Sequence, residues 1–337
     1  MSGRNNISGG DWRRDAVFIA ISIAVIIATI IILIKSGLAK ARYETPKYPF
    51  YLIISELIYL TQLSLIGLRL SIIFSRGMGY RIGTGELIKI AAAQTFTSLL
   101  VPGFYIGGEA ISIAYLTFRG LPTTRATEGI VLRYTIDTIT LTSIVLILYS
   151  LSLVVVPYIA LIMALILLLA YAVLFIAIVS ARLGKYIERM FRLINSRINL
   201  ASNFILINEG EVYGTKLTII DYLALFSASI IQWILSGLNI MMIFYAFGIH
   251  INLVSGILIS SSYIILTYIS VLPGSAGIGE LANLYILNSL GLGSYYLAYD
   301  VWFRVITYVV PLIILMPAFL SVSRKLTIMS TNHRNPH

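Results

Sequence analysis

The chain has 337 residues, of which 58% are hydrophobic and only 11% charged, with a net charge of +10 and no cysteine. That balance excludes an ordinary soluble domain, where about a quarter of residues are charged. It also excludes disulfides, thiolate chemistry and Cys-ligated metals. Basic residues scattered over short loops argue against nucleic-acid binding. His250, His333 and His337 lie outside the apolar runs, so neither a metal nor another cofactor is expected.

In chain order, the run Ala16–Ile34 comes first. It is long for a signal peptide, and no small-residue cleavage site follows it before Lys35. Crossing a bilayer takes about 20 helical residues. On that measure full spans are predicted at 16–35, 48–70, 127–155, 157–180, 219–247 and 295–322. Two apolar segments, 86–118 and 252–290, do not fit, because each contains a Pro-Gly. Around Pro102 the arms have about 15 residues each, so about 22 Å of helix, short of a ~30 Å hydrocarbon core. Proline lacks an N–H and disfavours helix before it, and Gly103 permits a sharp turn. These segments are predicted to be re-entrant hairpins, broken near mid-membrane.

The two breaks read VPGFYIGGE (101–109) and LPGSAGIGE (272–280). A shift of 171 positions superposes Pro102 on Pro273, Gly103 on Gly274, Gly108 on Gly279 and Glu109 on Glu280. Gly120 then falls on Gly291 and Arg133 on Arg304, without a gap. The expected architecture is one membrane domain, residues 1–337, holding repeats at about 48–155 and 219–322. A linking span and polar loop occupy 156–218. Three full spans between the hairpins make the repeats inverted, an arrangement used by transporters. Arg182, Lys185, Arg189, Arg192, Arg197 and Lys216 place that loop in the cytoplasm, with both termini. The expected setting is the plasma membrane. Loop 36–47, with Lys40, Arg42 and Lys47, is the exception to the charge rule.

An ionisable group inside a bilayer normally faces the interior and finds a partner. Glu109 and Arg133 reach depths of about 14 and 10 Å, as do Glu280 and Arg304. The pairs Glu109–Arg133 and Glu280–Arg304 have two readings. They are ion pairs stapling each hairpin to the next span, or they line a polar cavity and handle a charged substrate. Arg133 and Arg304 are expected to be the only buried cation pair in the repeats. Half-helix N-termini after each break favour negative charge, and Gly107, Gly108, Gly277 and Gly279 leave backbone bare for a headgroup or for a packed helix. Asp137 and Asp300 are alternative arginine partners. Gln94, Gln232, Asn239, Asn283 and Asn288 are explained by interhelical hydrogen bonds. No buried histidine can serve Ser275 as base, and no nucleotide-binding Gly-Lys-Ser/Thr motif is present, so neither an enzyme nor an ATP-driven pump is expected.

These paired motifs, with their downstream arginines, resemble the transmembrane region of the lysylphosphatidylglycerol synthase/flippase family over roughly residues 10–325. The resemblance falls on Pro102, Gly103, Gly107, Gly108, Glu109 and Arg133, then on Pro273, Gly274, Gly277, Gly279, Glu280 and Arg304. It implies a flippase-like protein moving an anionic or aminoacylated membrane lipid, or another lipid-linked substrate, between leaflets. The family's soluble aminoacyl-transferase domain is not among these 337 residues, so lysyl transfer is not implied. Two other functions fit the residues: a small-solute or ion transporter with paired re-entrant loops, and a membrane scaffold for lipid-linked glycan or phospholipid synthesis.

Overall fold

A computed structural model of the chain describes residues 44–100, 108–151, 158–179, 216–268, 270 and 275–334, the side chains of 327–334 excepted. Every regular element among them is helical. Among the described residues five helices are long and apolar enough to cross a membrane: Phe50–Gly77, Thr123–Ser150, Tyr158–Val179, Ile219–Ala246 and Gly293–Leu326. The protein is an all-α, multi-pass membrane protein. The expected span 16–35 lies outside the described residues, as does the polar loop up to residue 215.

In chain order, α1 (Phe50–Ser71) runs into a π-helical segment (Ile72–Gly77). Then come α2 (Thr84–Leu100), α3 (Glu109–Phe118), α4 (Thr123–Ser150) and α5 (Tyr158–Val179). The second half holds α6 (Ile219–Ala246), α7 (Leu253–Thr267), α8 (Ile278–Ser289), α9 (Tyr296–Arg304), a second π-helical segment (Val305–Val309) and α10 (Val310–Arg334). Short polar signals set two helix starts. Thr218 Oγ1 accepts from Asp221 N at 3.3 Å, and Thr218 N donates to the Asp221 carboxylate at 3.0 Å. This reciprocal box satisfies two N–H groups at the start of α6. Asn252 caps α7, accepting from Ser255 N at 2.8 Å. Helix α5 buries three alanines, Ala160, Ala164 and Ala177, and exposes Ile162, Ile166, Leu169 and Val173. That exposed apolar surface belongs in lipid, where it needs no protein cover.

The 171-residue shift relates elements as well as motifs. It carries Phe50 to Asp221 near the start of α6 and Thr84 to Ser255 near the start of α7. It carries Glu109 to Glu280 in the first turn of α8, and Thr123 to Ser294 just ahead of α9. Packing follows the same exchange: α1 lies on α2 as α6 lies on α7, α2 on α3 as α7 on α8, and α4 touches α7 as α10 touches α2. Helices α1 and α6 pack on each other.

Both α1–α2 and α6–α7 crossings are made at a glycine. A Cβ on Gly67 would stand 2.4 Å from Ile88 Cγ1 and 2.6 Å from Ile88 Cα. One on Gly237 would stand 2.4 Å from Ile257 Cγ1 and 2.7 Å from Ile257 N. Gly67→Val and Gly237→Val must separate the helices and should each cost ~1–3 kcal/mol, the usual range for overpacking. Thermal unfolding in detergent checks this against Gly83→Val, where nothing lies within 4 Å of the added carbon.

Helices α2 and α3 lie side by side with their outer ends tied. Glu86, in the first turn of α2, accepts from Tyr115 Oη at 2.6 Å and from Arg119 Nη2 at 3.0 Å. The arms therefore run antiparallel, with both outer ends at one end of the bundle. At that end Lys216 N donates to Gly77 O at 2.9 Å, Arg76 pairs with Asp221 at 3.0 Å, and Lys325 Nζ donates to Tyr115 Oη at 3.0 Å. The opposite end holds Tyr48, whose N donates to Ala246 O at 2.9 Å. Among the described residues its loops carry a single Lys or Arg, Lys47.

Candidate functional site

A cavity of about 310 Å³ lies where α1, α4 and α6 meet the inner ends of α2 and α7 and the second π-helical segment. Its lining takes Tyr59 to Ile66 from α1, Arg133 to Leu141 from α4 and Gln232 to Ile240 from α6. These stretches lie near the middle of each helix, so the cavity sits about halfway along the bundle. Among the described residues its cationic side chains are Arg133 and Arg304, and its carboxylate is Asp137. The two arginines that the 171-residue shift superposes thus face one space. Glu109 and Glu280 are not part of the lining.

The expected Glu109–Arg133 ion pair does not form. Asp137 sits one helical turn after Arg133 on the same face of α4, where residues four apart are neighbours. That local carboxylate takes Arg133 Nη1 at 3.0 Å. Glu109 Oε1 instead accepts from two neutral donors, Gln94 Nε2 at 3.0 Å and Tyr134 Oη. Glu109 Oε2 is buried without a partner among the described residues.

A third buried arginine, Arg69, corrects the expectation that Arg133 and Arg304 were the only ones. It is 1% exposed. Its Nη1 donates to Asp137 Oδ1 and its Nη2 to Gln232 Oε1. Ser229 Oγ adds a 2.7 Å hydrogen bond to the same Asp137 oxygen. Asp137 therefore joins α1, α4 and α6 at the cavity wall and serves two arginines. The expected span 48–70 ends one residue after Arg69, which sets that arginine at its edge. The helix continues through its π-helical segment to Gly77, which puts Arg69 about 12 Å from the end. The signal available in the sequence was the apolar Ile72-Ile73-Phe74 beyond it. Both π-helical segments start close behind an arginine of this site, Ile72 after Arg69 and Val305 after Arg304. Such segments concentrate at functional positions.

In the second half the expected Glu280–Arg304 pair is present, Nη2 to Oε1 at 2.5 Å. The other carboxylate oxygen accepts from Gly277 N at 2.6 Å, closing the first turn of α8. Gly277 has φ +85°, a conformation that a side chain would strain. Asp300, the alternative arginine partner, accepts from Asn283 Nδ2 at 2.7 Å. Both short helices thus carry their own carboxylate in the first turn, Glu109 on α3 and Glu280 on α8. The superposed glycines serve close approach. A Cβ on Gly108 would stand 2.2 Å from Gln94 O, and one on Gly279 would stand 2.7 Å from Arg304 Nη2.

Pro102, Gly103, Gly107, Pro273 and Gly274 lie outside the described residues. No group of three or more His, Asp or Glu side chains among the described residues could hold a metal ion. A family profile described as "Lysylphosphatidylglycerol synthase TM region" matches residues 17–314. No curated protein matches the chain.

Proposed function

From the premise that the chain belongs to the lysylphosphatidylglycerol synthase transmembrane-region family, we propose that it is a lipid flippase, moving an anionic or lipid-linked substrate between leaflets without ATP. The observation that carries this reading is the central cavity, with Arg133 and Arg304 contributed by the two corresponding halves. A multi-pass membrane protein related to lipid handling has no reason to bury arginines unless they hold the fold or meet an anion. At about 310 Å³ the cavity is at the small end of ligand sites. It has room for a headgroup, while acyl chains stay in lipid.

The halves are read as inverted repeats, about 48–155 and 219–322, with α2–α3 and α7–α8 as re-entrant hairpins whose arms rock to open the cavity to one leaflet and then the other. The tied outer ends of α2 and α3 and the exchanged packing of the two halves support this. The bundle end bearing Arg76, Arg119, Lys216 and Lys325 is assigned to the cytoplasm of a plasma-membrane protein, with both termini on that side.

The test is leaflet-to-leaflet movement of fluorescent lipids in vesicles reconstituted with purified protein. Wild type should move anionic lipid. Arg133→Lys keeps the charge but loses the planar fork that binds phosphate bidentately, and movement should fall about tenfold or more in a folded variant. If folded wild type moves no lipid of an anionic and zwitterionic panel, the reading is wrong. Uptake of small anions by those same vesicles would then favour a solute transporter.

A further inference from the structure

We propose that the headgroup taken by the central cavity is a polyhydroxylated phosphate, a sugar or polyol phosphate, and not an aminoacylated or choline-type headgroup. The inference rests on the flippase reading for the lipid it is attached to, but its chemistry comes from the cavity wall.

Start with charge. The lining's carboxylate, Asp137, already accepts from Arg69, from Arg133 at 3.0 Å and from Ser229 at 2.7 Å. No other carboxylate lines the cavity among the described residues, so an incoming ammonium finds no free anion there. It would meet the guanidinium groups of Arg133 and Arg304 instead. Tyrosine faces could attract a cation, but Arg133 already lies over the Tyr134 ring, 3.8 Å from its centroid. Arg69, Arg133 and Arg304 share two carboxylates, Asp137 and Glu280, so one positive charge is left over, and it repels an ammonium against what the remaining rings supply.

The rest of the wall is aromatic and hydrogen-bonding. Tyr59, Tyr263, Tyr268, Tyr308 and Trp233 face the cavity, with the amides of Gln62 and Gln232 among them. Flat rings cover the C–H face of a pyranose or cyclitol, and amides and hydroxyls both donate to and accept from its hydroxyl groups. Three lining residues also carry a buried polar atom with no partner among the described residues: Arg133 Nε, Trp233 Nε1 and Ser270 Oγ. Two are obligate donors and the third can donate, so they call for an oxygen-rich ligand. A phosphate answers the arginines, and ring hydroxyls answer the others.

The experiment is binding to the full-length protein in detergent, read by titration of its thermal unfolding. The lipid probes are short-chain phosphatidylinositol, phosphatidylcholine and lysylphosphatidylglycerol. The soluble probes are hexose 1-phosphate, free hexose and inorganic phosphate. Phosphatidylinositol and hexose 1-phosphate should bind at least tenfold more tightly than the other lipids and than inorganic phosphate. Trp233→Phe keeps the ring and removes its donor. It should weaken hexose 1-phosphate about fivefold to tenfold and leave inorganic phosphate unchanged. Ser270→Ala is the second variant should Trp233→Phe not fold, with the same expectation. Equal or tighter binding of lysylphosphatidylglycerol or phosphatidylcholine, no binding of any probe, or full affinity for hexose 1-phosphate in the folded variant overturns the proposal. If hexose 1-phosphate binds as tightly as the lipid and no lipid moves in vesicles, the headgroup inference stands and the flippase reading falls.

Discussion

Asp137→Asn should be among the most destructive single substitutions in the bundle, and more damaging than removal of either arginine it serves. Asp137 takes Arg69 on one oxygen and Arg133 on the other. The arginines are 1% and 4% exposed. With asparagine in its place two like charges share a buried site without a counter-ion. Breaking a buried pair costs ~3–5 kcal/mol, against a total stability of about 5–15 kcal/mol, so little folded protein should be recovered. Arg69→Gln differs in sign of charge: it leaves one arginine facing one carboxylate, and the amide can still donate to Asp137. Its cost should be that of weakened hydrogen bonds, ~1–3 kcal/mol. The double variant Arg69→Gln/Asp137→Asn should be more stable than Asp137→Asn alone, because one of the two stranded charges is gone. The measurements are monodisperse yield and thermal unfolding in detergent for the three variants. If Asp137→Asn tolerates heat as well as Arg69→Gln, the carboxylate is not the shared counter-ion.

The fold was legible in the sequence because membrane helices announce themselves by length and apolarity. The 171-residue register places Glu109 and Glu280 alike in the first turns of α3 and α8, while the expected breaks at Pro102 and Pro273 lie outside the described residues. The site was only half legible. Arg304 finds Glu280, as the spacing of 24 residues suggested, but the same spacing does not unite Glu109 and Arg133. Sequence register says which residues occupy equivalent places. It does not say which of several partners wins there, and Asp137, which falls on Tyr308 under the shift, captures Arg133 in one half only. Arg69 falls on Ile240 and so was invisible to the repeat. Its burial depends on the π-helical extension to Gly77, which no periodicity announces. The cavity's tyrosines and Trp233 read as ordinary apolar residues until the helices are assembled around a common space.

Glu109 and Glu280, superposed by the repeat, should respond very differently to the same change. In Glu280 the two carboxylate oxygens face two separate donors, Arg304 Nη2 at 2.5 Å and Gly277 N at 2.6 Å. A glutamine there has one acceptor for two donors, so its NH₂ must oppose either the guanidinium or the backbone N–H. It also strips the counter-charge from Arg304. Glu280→Gln should cost ~2–4 kcal/mol, below the full range for a sealed pair because about a fifth of each side chain is exposed. In Glu109 both donors, Gln94 and Tyr134, converge on Oε1, and Oε2 has no partner among the described residues. A glutamine keeps its carbonyl on those donors and turns its NH₂ to the empty side. Glu109→Gln should therefore cost under ~1 kcal/mol. The decisive measurement is a pair of double-mutant cycles on thermal stability. Glu280→Gln with Arg304→Gln should be strongly non-additive, because removing the arginine removes the stranded charge, whereas Glu109→Gln with Arg133→Gln should be close to additive. Equal costs for the two glutamates, or coupling in both cycles, would mean that the halves share one ion-pair design and that the different partners of Glu109 and Glu280 have no energetic weight. Lipid movement in vesicles then separates staple from substrate handling. If Glu280→Gln/Arg304→Gln folds well yet no longer moves anionic lipid, Arg304 serves the substrate as well as the hairpin.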